Sequence, residues 1–341
     1  MSAVIADGSG KVTVSEVPLP EMNDYDALCK IYACAICTGT DLSIIDKRMN
    51  SSSIHYPAII GHEAIGYVIT TGSKVKFFKN GDLVTSPGAT AVQVQSIQYH
   101  SHWGGFAEYG IIKDYRAMLS HGYAERDVMP YKCHQIIGHD IALQDGMMMV
   151  TWRETLSYLN RIGVHRGNTV LIIGSGSVAL SFVKHCINRG LFCIIIGNER
   201  RKSVFINMGV IAFFDYKNKT AYLHEMENCS MVFNTIIDAA GDYETVNDCA
   251  AFLCTDGKIG LYGLTDSNDK GIISVKKTAH IYQGGYDQAE VHDEVLSDLR
   301  HGRLSSEDWF AEGSNYSMDN MNDGLEKLRA REIIKAYVTI G

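Results

Sequence analysis

Short β-branched stretches broken by Gly, Asp and Asn recur through the first part of the chain, as in Lys11-Val-Thr-Val-Ser15 and Gly66-Tyr-Val-Ile-Thr70. Such segments predict antiparallel strands joined by turns. The pattern changes after Asp145, where Trp152 to Arg161 takes helical spacing and Thr169-Val-Leu-Ile-Ile173 forms a continuous apolar run. A run of that kind suits a strand covered on both faces, as in a parallel sheet. A helix over Val178–Arg189, a strand at Phe192–Ile196, a helix at Lys202–Met208 and strands near Ile211–Phe214, Thr235–Asp238 and Lys258–Tyr262 continue the alternation. Alternating strands and helices predict a doubly wound parallel sheet. Helices at Glu290–Leu299 and Met321–Arg329 and a last strand at Ile333–Ile340 close the chain.

The first turn of that alternation carries chemistry. Gly174-Ser-Gly176-Ser177-Val178-Ala179 follows an apolar strand directly and opens a helix. In a dinucleotide-binding turn the first Gly permits the tight bend, the second admits the pyrophosphate to the backbone, and a small third residue lets helix and strand pack closely. Alone the run is a common tight turn; in this strand–turn–helix setting it predicts a nicotinamide dinucleotide. NAD sites usually place an acid at the end of the second strand, but here Gly197-Asn198 stand there, followed by Arg200, Arg201 and Lys202. Loss of the acid removes repulsion of a 2′-phosphate, and a guanidinium binds one bidentately, so NADP is favoured over NAD. The alternative is that the bases are only the exposed first turn of a helix and Glu199 takes the acid's role.

Length and charge narrow the class. A chain of 341 residues suits two domains of ordinary size, with a cleft between them as the natural ligand site. A net charge of −8 argues against a nucleic-acid partner, whose phosphates call for clustered bases. The opening residues lack a basic segment followed by an apolar one, and no stretch of about 18 apolar residues occurs, so a cytoplasmic protein without membrane spans is expected. The nine cysteines are odd in number and follow no framework spacing, so most are expected to be buried reduced thiols.

A second set of motifs lies in the first half: Ala35-Ile-Cys37-Thr-Gly-Thr-Asp41, Gly61-His62-Glu63-Ala-Ile-Gly66, Gly81-Asp82-Leu-Val84 and Gly104-Gly-Phe-Ala-Glu-Tyr109. With these, and with Ile236-Ile-Asp-Ala-Ala-Gly241 and Gly257-Lys-Ile-Gly-Leu-Tyr-Gly263 further on, the chain resembles the zinc-dependent medium-chain alcohol and polyol dehydrogenases, including sorbitol, threonine and alcohol dehydrogenases. The resemblance implies an α/β protein: a GroES-like, β-rich catalytic domain over residues 1–150, a doubly wound parallel Rossmann domain over 151–284, and a return of 285–341 to the catalytic domain. It also implies a homodimer or homotetramer joined through Rossmann sheet edges near Ile272–Val275.

By the same resemblance Cys37 and His62 are ligands of a single catalytic zinc, a thiolate and an imidazole of suitable softness. Glu63 lies where the family has a carboxylate close to the metal. The usual third ligand should fall near residue 150, but Met147-Met-Met-Val150-Thr151 offers none. Three explanations stand: Glu63 completes the ligand set, Glu154 reaches in after a one-turn shift, or the zinc site is weak or lost. Adjacency to His62 favours the first. Between Val84 and Gly104, where many members hold a structural zinc on four cysteines, this chain has no cysteine, so at most one zinc per subunit is expected. His100 and His102 in that stretch are remote alternative ligands. The proton relay of the family maps onto Thr40, with Ser43 as the next station, against a purely helix-capping role for Thr40. The implied reaction is hydride transfer between a nicotinamide and a small secondary alcohol, polyol or amino-polyol or the corresponding ketone. Its alternative is a zinc-free quinone or enone reductase of the same superfamily.

Overall fold

Strand Asp26–Ile36 organises the first half of the protein. In the computed structural model, which describes residues 1–49, 53–264 and 279–341, three strands pair with it antiparallel: Glu63–Thr71, Tyr109–Lys113 and Ala336–Thr339. Its burial is nearly continuous toward the Ile36 end, because both sides are covered and the side chains are small or aliphatic. The pairing registers decide which strand ends coincide. Ala35 stands opposite Glu63 and Ile36 opposite Ala336, so three strand ends meet at one place.

The chain divides into two compact units, Met1–Arg153 with Asp287–Gly341, and Glu154–Tyr286. Among the described residues the first holds two sheets, of seven and five strands, over a core that includes Ile31, Cys34, Ile36, Ile44, Phe106, Leu325 and Val338. The segment Asp287–Gly341 is tied in by the Ala336–Thr339 strand and by Arg153, which is fully buried and donates to the Met149 and Cys133 carbonyls and to Gln288 Oε1.

Among the described residues the second unit holds a parallel six-stranded sheet in the order Ala212–Asp215, Phe192–Gly197, Thr169–Ile173, Phe233–Asp238, Leu253–Leu261, His280–Tyr282. The order reverses at Thr169–Ile173, the arrangement of a doubly wound dinucleotide-binding sheet. Helices Ser177–Asn188, Lys202–Met208 and Met321–Arg329 lie within a residue of expectation. One helix is much longer than its pattern suggested, running Leu143–Ile162 rather than beginning at Trp152. Its first turns contain Gly146, a poor helix former, yet a Cβ there would stand 3.0 Å from Ile137 Cδ1 and 3.4 Å from Ile65 Cγ2, so close packing overrides propensity. The segment Ile272–Val275, expected at a subunit edge, lies outside the described residues.

Candidate functional site

Cys37 immediately follows strand Asp26–Ile36, and His62 immediately precedes strand Glu63–Thr71. Antiparallel pairing of the two brings Cys37, His62 and Glu63 together, with their ligand atoms all within 4.8 Å of one another; among the described residues this is the one group of three such donors. Gly61 makes the approach possible. It has φ +104°, and a Cβ on it would lie 2.5 Å from the Phe106 ring, so only glycine lets the chain turn into His62 here.

Each donor is held by a neighbour. The five-residue helix Asp41–Ile45 starts where Cys37 ends its turn, and its first residue is fully buried. Asp41 Oδ2 accepts the Cys37 N–H at 2.8 Å, and Oδ1 lies 3.3 Å from His62 Nδ1. A carboxylate on the far nitrogen of an imidazole fixes its tautomer and orientation, the usual support for a metal-binding histidine. Burial disfavours a charged His62, but Asp41 and the Cys37 thiol outweigh it and hold the pKa well above the ordinary imidazole value. Surroundings that hold a proton on His62 also favour a cation. Cys34, on the same strand, behaves differently: burial, with Asp41 and Glu63 nearby, keeps its thiol protonated.

Glu63 is 1% exposed and engaged at both oxygens. Thr151 Oγ1 donates to Oε1 at 2.6 Å, and the Lys335 ammonium pairs with Oε2. Lys335 directly precedes the strand Ala336–Thr339, which the register sets beside Ile36; this is why a lysine from the far end of the chain arrives here. Burial works against its charge, and Glu63, Cys37 and Asp41 more than offset that. Sequence reasoning missed both partners. The signal for Lys335 was a lone cation inside the run Ile333-Ile-Lys-Ala-Tyr-Val338; for Thr151 there was none beyond its place in the window searched for a ligand.

The helix Leu143–Ile162 meets the cluster through Thr151, not through Val150. Glu154 accepts from Tyr262 Oη at 3.1 Å instead. His102 Nε2 lies 3.2 Å from both the amide nitrogen and the carbonyl oxygen of His55, and the His55 and His100 rings are 5.1 Å apart. Thr40 is the N-cap of the short helix, and its hydroxyl makes no capping bond; Ser43 is buried within that helix. The donor set of thiolate, imidazole and carboxylate, in surroundings that favour a cation, fits zinc.

In the second unit Gly174 has φ +119° and donates its N–H to the Ile196 carbonyl at 2.8 Å, closing the turn after Thr169–Ile173. Gly176 caps helix Ser177–Asn188 without a side chain, so the helix start, with the backbone N–H groups of Ser177 and Val178, is of the kind that receives an anion. Gly197 is packed against Ser175, whose Oγ accepts the Asn198 N–H at 2.9 Å. Arg201 Nη1 donates to the Ser175 carbonyl at 2.7 Å, Asn198 Oδ1 accepts from the Arg200 N–H, Arg200 is exposed, and Lys202 pairs with Glu199. The guanidinium of Arg201 thus lies over the turn, while Arg200 stands in solvent beside it.

Residues 23–121 match the family described as the alcohol dehydrogenase GroES-like domain. Among curated proteins, the sorbitol dehydrogenase of Bacillus subtilis (strain 168) is 22% identical over 340 residues, covering 96% of this chain and 93% of its own. D-arabinitol dehydrogenase 1 of Uromyces fabae is 21% identical, covering 99% and 97%. A solved structure from Sinorhizobium meliloti 1021, described as that of a zinc-binding dehydrogenase bound to NADP, superposes with a TM-score of 0.78 at 20% identity, over 99% of this chain and 98% of its own. Residues 23–121 thus carry an alcohol dehydrogenase GroES-like domain, and over nearly its whole length the chain is similar to polyol dehydrogenases. Among the described residues no helix is long and apolar enough to cross a membrane.

Proposed function

We propose that the protein is a zinc- and nicotinamide-dependent dehydrogenase of small secondary alcohols, with polyols as the preferred class. The observation that carries the reading is the convergence of Cys37, His62 and Glu63 at paired strand ends, each oriented by a buried polar partner. The polyol class rests on the names of the full-length relatives, sorbitol and D-arabinitol dehydrogenases.

Cys37, His62 and Glu63 would hold the zinc. Bound there, zinc would supply Lewis acidity, and a nicotinamide held by the second unit would supply the hydride-acceptor chemistry. The chain's own residues do the rest. Asp41 fixes the His62 ring, while Thr151 and Lys335 fix the Glu63 carboxylate. Thr40, whose hydroxyl is not committed to capping, takes the substrate proton and passes it toward Ser43. The Gly174–Gly176 turn and the N–H groups of Ser177 and Val178 would hold the pyrophosphate, and Asn198, Arg200 and Arg201 would bind the adenosine ribose, with NADP favoured over NAD. Association into a homodimer or homotetramer and a cytoplasmic location complete the reading.

The test is metal analysis of the purified protein together with a screen of NAD and NADP reduction over polyols and simple secondary alcohols. About one zinc per chain and oxidation of at least one polyol are expected. No zinc, with activity on quinones or enones that survives a strong chelator, would replace the reading with a zinc-free reductase.

A further inference from the structure

Trp103 sits beside the metal cluster in an unusual state. Its ring centroid is 5.3 Å from that of His62, at an interplanar angle of 51°. The residue is 54% exposed, whereas the other two tryptophans, Trp152 and Trp309, are 0% and 1% exposed and stacked edge to face on each other. Its φ is +67°, a left-handed conformation that is an outlier for so bulky a residue and that glycine would adopt without strain. An exposed indole on a strained backbone is unfavourable on both counts, and strain of this kind clusters at ligand sites.

The backbone that presents it is fixed on both sides. The His102 N–H donates to the Ile59 carbonyl at 2.8 Å, Gly105 N–H to Gly61 O at 2.7 Å, and Gly104 O accepts from Ala89 at 3.0 Å. Gly88 lies so close to the Trp103 carbonyl that a Cβ there would be 1.6 Å from it. The segment is stapled to the very residues, Ile59 to Gly61, that lead into His62. The indole is therefore held at a set position relative to the proposed zinc ligand.

We infer that Trp103 is a specificity-determining residue, an aromatic platform against which the C–H face of a polyhydroxylated carbon chain packs while one of its hydroxyls is held at the cluster. An indole face is electron-rich and apolar. In an open-chain polyol every C–H is polarised by the oxygen on its carbon, so a chain of several such carbons suits that face, whereas a simple alcohol such as propan-2-ol has no further hydroxylated carbons to lay on an indole 5.3 Å from the His62 ring. The inference rests on the dehydrogenase reading and names the feature by which that site selects long polyols.

The test compares wild type with Trp103→Phe, Trp103→Ala and Trp103→Gly, using sorbitol and propan-2-ol as probes. For Trp103→Ala, KM for sorbitol should rise at least tenfold with kcat within about twofold, while kcat/KM for propan-2-ol and zinc content stay unchanged. Trp103→Phe should recover most of the sorbitol KM. Trp103→Gly should melt no lower than wild type, since it relieves the backbone; a lower melting temperature would make Trp103 a packing residue and overturn the inference. Equal losses for both probes, or none, would also overturn it. An assay independent of turnover is acrylamide quenching of tryptophan fluorescence, which reports Trp103 because the other two are buried. Sorbitol should protect the indole and propan-2-ol should not. If no alcohol is oxidised by wild type, the dehydrogenase reading fails by itself, and the platform then stands or falls on that protection: absence of it refutes the platform.

Discussion

The Cys37 cluster and the Gly174 turn make opposite use of polar groups. At the cluster, Asp41, Glu63 and Lys335 are buried and tie the donors together from three strand ends. At the turn, the groups on offer are backbone N–H donors at a helix start and side chains such as Arg200 that stand in solvent. A buried network is costly to leave half satisfied, whereas exposed groups contribute little until a ligand arrives. Substitutions at the first region should therefore act on stability and metal together. Those at the second should act mainly on cofactor affinity.

The sharpest consequence concerns Glu63. Changing Glu63→Gln leaves the Lys335 ammonium buried without its partner, a loss of about 3–5 kcal/mol for such pairs. We expect a large fall in melting temperature and loss of zinc. The double variant Glu63→Gln with Lys335→Met should regain much of the stability, because both charges are gone, and still bind no zinc. Calorimetry on the three proteins decides it, and a double variant no more stable than the single one would show that the buried pair is not what the first substitution breaks.

A smaller effect tests the first unit away from the cluster. His292 is held neutral: burial, with Arg153 beside it, pushes its pKa down to about 4. Its Nε2 lies 2.9 Å from the Ile136 carbonyl and Nδ1 lies 3.4 Å from Arg153 Nη1, which suits a ring that donates at one nitrogen and accepts at the other. With a folded pKa below the ordinary 6.5, the unfolded chain binds the proton first as pH falls. The stability is full above about 6.5 and is lost toward 4, amounting to about 3 kcal/mol for this group. His292→Gln, which keeps a donor and an acceptor, should flatten the profile between these values; an unchanged slope would refute the assignment. His134, also pushed down to about 4 by burial, adds to the same slope.

At the dinucleotide turn, changing Arg200 and Arg201 together to Ala should weaken NADP binding by about 1.5–3 kcal/mol, the scale of a charge-assisted hydrogen bond, with NAD affected far less. Melting temperature should fall only by the small amount that the lost Arg201–Ser175 carbonyl bond contributes. Equal losses for both cofactors, or a wild-type preference for NAD, would contradict the choice of NADP. The smallest change is Thr151→Val, which removes one hydrogen bond to Glu63 and should weaken zinc binding roughly 10–100-fold by freeing its carboxylate. An unaltered affinity in a chelator competition would show that Lys335 alone orients Glu63.

What the chain's pattern revealed divides along the same line. The parallel sheet was legible because strands buried on both faces are written as unbroken apolar runs, such as Thr169–Ile173 and Phe192–Gly197. Cys37, His62 and Glu63 were legible because they lie in short motifs. Their support was not. Thr151 reaches Glu63 across 88 residues, and Lys335 comes from the last strand, so each contact depends on register, which local pattern does not encode. The early start of helix Leu143–Ile162 was hidden by Gly146, where close packing overrides propensity. Trp103 carried no signal as a residue type; its exposure, strain and nearness to His62 emerge only in three dimensions.

Whether Cys37, His62 and Glu63 hold one zinc on which alcohol oxidation depends can be read from a titration of zinc into the metal-free protein against a chelator of known affinity. The wild type should take up one zinc per chain, and Glu63→Gln carrying Lys335→Met, stable enough to assay, should take up none and oxidise no alcohol. Zinc uptake by that double variant equal to wild type, or wild-type alcohol oxidation undiminished after the zinc is stripped, would refute the proposed centre.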